Sequence, residues 1–150
     1  MKSNTKKLGL MVLAGLLALP VWAKEFQVKM MTKGSDGQAL VFEPSFVKVK
    51  VGDTVVYTPT EKAGHTSVSL LVPAGAKPWR AKPDTEIKVK IEKQGIYLVE
   101  CDVHKTLGMV GVIQAGKPVN LEEAKKVAAA ESAKMAVGKD RYEKALAQVK

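Results

Sequence analysis

Along much of the chain, apolar and polar residues alternate with a period of two. Phe26, Val28 and Met30 alternate with Gln27 and Lys29. Val47, Val49 and Val51 alternate with Lys48 and Lys50 before Gly52-Asp53 closes the run, and Ile87, Val89 and Ile91 alternate with Lys88 and Lys90. Successive side chains of a strand face opposite ways, so each run predicts a strand with one dry and one wet face. Thr54 to Thr58 is a β-branched and aromatic run stopped by Pro59. Ile96 to Cys101 is apolar almost throughout, as expected of a strand buried on both faces, and Met109 to Ile113 resumes the pattern. Thr32 to Gln38 and Pro73 to Pro83 carry the Gly, Pro and polar content of loops. Short period-two runs divided by such turns predict an all-β fold, a sandwich or barrel over about 24–116.

The period changes after Gly116. Asn120 followed by Glu123 reads as a capping box, Ala-rich sequence continues to Val137, and Gly138 is a natural stop. Asp140 then reads as the cap of a second helix in which Tyr142, Ala145, Leu146 and Val149 share one face. The expectation is a single domain over 24–150, a β-sandwich with two C-terminal α-helices over about 120–150 that cover it.

The N-terminal stretch has a different character. Lys2, Lys6 and Lys7 precede an apolar run from Leu8 to Leu19, and Pro20-Val21-Trp22-Ala23 offers a small-residue exit. This pattern predicts a signal peptide at 1–23, cleaved after Ala23, with an apolar core too short for a comfortable membrane span. Cleavage removes three lysines and no acids, so the formal charge falls from +9 to +6. Export to a cell-envelope or outside compartment, with no membrane insertion after cleavage, argues against nucleic acid as a target. A basic surface there would steer an acidic protein partner.

The chain has one cysteine and two histidines. A lone thiol in an oxidising compartment cannot pair within the chain, which leaves intermolecular pairing, a reactive thiol or a bound metal. Cys101, His104 and Met109 lie in one short loop, Cys-x2-His-x4-Met, and the other histidine is His65. Singly, each has an ordinary role: a small buried thiol, a solvated imidazole, a Met filling a core gap. Together they form a soft donor set, thiolate, thioether and two imidazoles, that suits copper. A Cys–His enzyme would need a third orienting group and a substrate cleft, which nothing in the sequence supplies, so the chain does not read as an enzyme. A copper-binding and delivery protein is the alternative. It could use the same four ligands, but delivery usually relies on exposed Met- or His-rich segments, and none is visible.

These motifs resemble the small blue copper proteins, the cupredoxins, and among them the pseudoazurins. The likeness runs through GSDGQALVFEPSFVKVKVGDTV, YTPTEKAGH, GIYLVECDVHKTLGMVGVIQAG and the two-helix tail. It implies a cupredoxin-like, eight-stranded Greek-key β-sandwich holding one copper ion, cycling between Cu(I) and Cu(II). The implied ligands are His65, Cys101 and His104, with Met109 as the weak axial one. The implied role is one-electron transfer in the periplasm, with redox enzymes such as copper nitrite reductase as partners of a monomeric carrier. The edge of His104 would be the exit for the electron, ringed by Ala63, Val103, Leu107 and Gly108, with Lys33 and Lys62 at the docking face. Three positions depart from the family pattern: Thr66 stands where Asn is usual, Val103 where Pro is frequent, and Glu100 where Lys is found beside the thiol.

Overall fold

In the computed structural model, which describes residues 22–150, the alternating runs pair into two four-stranded sheets. The strands are β1 (Glu25–Lys33), β2 (Ala39–Glu43), β3 (Phe46–Val49), β4 (Thr54–Pro59), β5 (Val68–Leu71), β6 (Ile87–Lys90), β7 (Gly95–Glu100) and β8 (Val110–Ala115). One sheet has the order β2-β1-β4-β6 and the other β3-β8-β7-β5. The pairs β1–β4 and β3–β8 are parallel and the rest antiparallel. The proposed signal peptide lies, but for its last two residues, outside the described residues.

The alternation decides which side chains fill the sandwich. Val28, Met30, Val47, Val49, Val55, Tyr57, Val89 and Ile91 meet Tyr97, Val99 and Ile113 between the sheets, while the intervening lysines stay in water. Every residue of β7 and β8 is buried, because helices close the outer face of their sheet. The helices are α1 (Leu121–Ala133) and α2 (Arg141–Leu146). Ile96, Leu98, Val110 and Val112 point outward into a second core with Ala124, Ala128, Met135, Tyr142 and Ala145. Tyr142 ties the tail down further by donating its hydroxyl to the Val99 carbonyl at 2.9 Å.

The tail differs in detail from the sequence reading. Asn120 makes no side-chain cap. Its amide instead brackets the start of β7, accepting from Ile96 N–H at 2.7 Å and donating to the Ile96 carbonyl at 3.0 Å. Asp140 makes no cap either and pairs with Lys144. The first helix ends at Ala133 rather than Val137, and the chain from there to Gly138 turns back onto the loop that holds His104. Strands β2 and β5, not evident from periodicity, complete the two sheets.

Candidate metal centre

Two loops meet beyond β4 and β7. The first begins at Cys101, fully buried after β7. Its N–H donates to the Met109 carbonyl at 2.9 Å, which closes the loop at its base. Within it, His104 N–H returns to the Cys101 carbonyl at 3.1 Å, and Lys105–Leu107 form one turn of 3-10 helix. Gly108 ends that turn at φ 78°, and a Cβ there would lie 2.8 Å from the Val137 carbonyl oxygen. Only glycine meets both conditions without strain. The tail grips the loop from outside: Ala136 N–H donates to the Thr106 carbonyl at 2.7 Å. Arg141 Nη1 donates to the carbonyls of Gly108 at 2.9 Å and Leu40 at 2.7 Å, and Nη2 to that of Ala39 at 2.9 Å.

The second loop carries His65 alone. The Asp84 carboxylate shapes its backbone, accepting from the N–H groups of Ala63 at 3.2 Å, Gly64 at 3.0 Å and His65 at 3.0 Å. Asp84 N–H completes the seat by donating to the His65 carbonyl at 2.7 Å. Burial disfavours the charged carboxyl, but the backbone bonds from Gly64, His65 and Ala63 together outweigh it and hold the pKa below the usual carboxylate value.

The His65 ring is fully buried. Its Nε2 lies 3.2 Å from Thr32 Oγ1 and 3.3 Å from Glu61 Oε1. Hydrogen bonds from the Thr32 hydroxyl, the Thr60 hydroxyl and Thr32 N–H hold the Glu61 pKa at about 2, so this partner is an ionised acceptor. A neutral His65 that donates from Nε2 keeps its lone pair on Nδ1. That Nδ1 is buried and has no hydrogen-bond partner.

His65, Cys101 and His104 bring their ligand atoms within 4.8 Å of one another. Cys101 Sγ is 3.5 Å from His104 Nδ1, and the two imidazole centroids are 5.1 Å apart. Thr66, at the position where the family usually has Asn, donates its N–H to Sγ at 3.3 Å. Burial lowers the His104 pKa, which favours a neutral ring with a lone pair to give. Met109 is fully buried at the closure of the loop. An orphaned buried nitrogen costs free energy, and a cation bound among these donors would satisfy it. The donor set of one thiol and two imidazoles fits copper.

Around the site, Val103 and Leu107 flank the half-buried His104 as exposed apolar residues. Lys33 and Lys62 are exposed. Glu100 is not a surface charge: it is 4% exposed and paired with Lys105 at 3.0 Å. Sequence reasoning named His65, Cys101 and His104, which the structure brings together, but not Asp84, Glu61, Thr32 or Arg141. Each of these acts across a gap of several to many residues, and none belongs to a local motif.

Residues 28–116 match the family model described as copper binding proteins, plastocyanin/azurin family. The chain is 37% identical over 116 residues to a pseudoazurin of Paracoccus pantotrophus, covering 75% of this chain and 79% of that protein. It is 38% identical over 112 residues to a pseudoazurin of Methylorubrum extorquens, covering 73% and 74%. Among solved structures, native pseudoazurin from Hyphomicrobium denitrificans superposes with a TM-score of 0.76 at 37% identity, over 84% of this chain and 98% of that one.

Proposed function

The chain belongs to the copper-binding proteins of the plastocyanin/azurin family, and on that footing we propose that it is a pseudoazurin-type carrier of single electrons rather than an enzyme. The observation that carries the reading is the convergence of the orphaned His65 Nδ1 with Cys101 Sγ and His104 Nδ1 at a buried point. His65, Cys101 and His104 would hold the ion, with Met109 as the weak axial ligand. The ion, when bound, supplies a one-electron Cu(I)/Cu(II) couple.

The protein's own contribution is to keep the donors where they are. The Cys101–Met109 bond and the Ala136 and Arg141 contacts fix one loop, and Asp84 fixes the other. A site that cannot relax limits rearrangement between oxidation states. His104, half-buried between exposed Val103 and Leu107, would be the electron's exit. A small apolar patch with exposed Lys33 and Lys62 nearby suits a weak, fast encounter with an acidic redox partner, a copper nitrite reductase being one candidate. The leader-like pattern at 1–23 supports export and cleavage after Ala23, leaving 24–150 as a single monomeric domain in the periplasm.

Carriage and copper delivery separate on one test. The copper-loaded protein is cycled repeatedly between reductant and oxidant in the presence of a competing chelator. A carrier returns its full visible absorption with the metal retained, whereas a delivery protein surrenders the metal.

A further inference from the structure

We propose that Asp102 holds the Thr66 hydroxyl proton away from the Cys101 sulfur, so that the thiolate receives one hydrogen bond where the geometry offers two. The inference rests on the copper reading above and deepens it, making Asp102 a positioning residue that sets how readily the site is reduced.

Thr66 Oγ1 stands 3.5 Å from Cys101 Sγ and within hydrogen-bond reach of Asp102 Oδ1. It also accepts from Asp102 N–H at 3.1 Å. A hydroxyl carries one proton, so it can serve the sulfur or the carboxylate but not both. A carboxylate oxygen is the stronger acceptor and draws the shorter bond. Thr66 is 2% exposed, so its hydroxyl has no ready recourse to bulk water. Asp102 is itself aimed. The Arg80 guanidinium holds its Oδ2, which leaves Oδ1 turned to Thr66, and the Arg80 backbone is held by its bridge to Val68. The thiolate keeps the Thr66 N–H bond, at 3.3 Å, whichever way the hydroxyl points.

Hydrogen bonds to a metal-bound thiolate draw charge from the sulfur and favour the reduced ion. With the second bond withheld, the reduction potential stays lower than it would otherwise be. Removal of Asp102 therefore acts twice: it takes away a negative charge, and it releases the hydroxyl to the sulfur. Only the second effect requires Thr66.

The test is a double-mutant cycle on the copper-loaded protein, comparing wild type, Thr66→Val, Asp102→Ala and the double variant by spectroelectrochemical titration. Thr66→Val alone should leave the potential close to that of wild type. Asp102→Ala should raise it, and raise it less when Val stands at 66, the difference amounting to about fivefold in the preference for Cu(I) over Cu(II), the scale of one ordinary hydrogen bond. A lowered potential in Thr66→Val, with an equal Asp102→Ala rise in both backgrounds, would overturn the proposal. The metal-free wild type gives an independent reading that needs no variant to fold. In its NMR spectrum the buried Thr66 hydroxyl proton should show cross-relaxation to the Asp102 β-protons. Cross-relaxation to the Cys101 β-protons instead would contradict it. A wild type that develops no thiolate band with Cu(II) refutes the copper reading, a failure distinct from either of these.

Discussion

Three of the four proposed ligands lie between Cys101 and Met109 on one loop, whereas His65 stands alone, 36 positions before the cysteine. The first group is brought together by connectivity. A short loop, closed at its base by the Cys101–Met109 bond and pressed by the tail, keeps its donors near one another. His65 has no such help. Its place depends on a carboxylate from the segment before β6 that ties down three successive N–H groups, and on Thr32 and Glu61 at the far side of its ring. The contrast teaches that a local motif can supply most of a metal site, but the last ligand is only as well placed as the remote contacts that hold it.

Loss of the thiol should have the largest effect. Cys101→Ser removes the one covalent sulfur donor, and the intense thiolate-to-copper absorption should vanish from the copper-treated protein. Next comes the seat of the lone histidine. Asp84→Ala leaves the N–H groups of Ala63, Gly64 and His65 without their acceptor. Copper affinity, measured against a competing chelator, should fall about 10- to 100-fold, as is usual when a partner that orients a ligand is lost.

The clamp on the other loop should matter in a different currency. Arg141→Ala leaves the carbonyls of Ala39, Leu40 and Gly108 without their donor and should cost about 1–3 kcal/mol in urea unfolding. Copper affinity should change less than in Asp84→Ala, because connectivity still holds Cys101, His104 and Met109 together. A larger affinity loss in Arg141→Ala than in Asp84→Ala would reverse the contrast.

The smallest effect separates the fold from the site. Asp53 accepts from the N–H groups of Lys24 at 2.9 Å and Lys50 at 2.8 Å, in that order the main reasons its pKa is lowered. A depressed carboxyl contributes stability that is present above its unfolded pKa of about 3.9 and is lost as pH falls through the lower folded value. Asp53→Asn should therefore flatten the acid side of the melting-temperature profile and leave copper affinity at neutral pH unchanged.

The sheets were legible where one face is wet. The runs around Val28, Val49 and Val89 announce their strands because lysines alternate with the core residues. Strands β2 and β5 escaped notice because ALVFE and VSLL are short and lack that rhythm. The grouping of His65, Cys101 and His104 was legible because such residues are scarce here, with a single Cys and two His. Their supports were not, because Asp84, Arg141 and the Asp102–Arg80 pair are ordinary polar residues whose roles arise only when distant segments meet. Asn120 and Asp140 show the opposite error, local cap signals outcompeted in one case by a tertiary partner, the Ile96 backbone, and in the other by the i+4 neighbour Lys144.

The most direct measurement is the visible spectrum of metal-free protein titrated with Cu(II). The expected result is one intense charge-transfer band that saturates at one copper per chain, is bleached by reductant and is restored by oxidant. If no such band develops, and Cys101 oxidises or links chains instead, the thiolate–copper centre is contradicted.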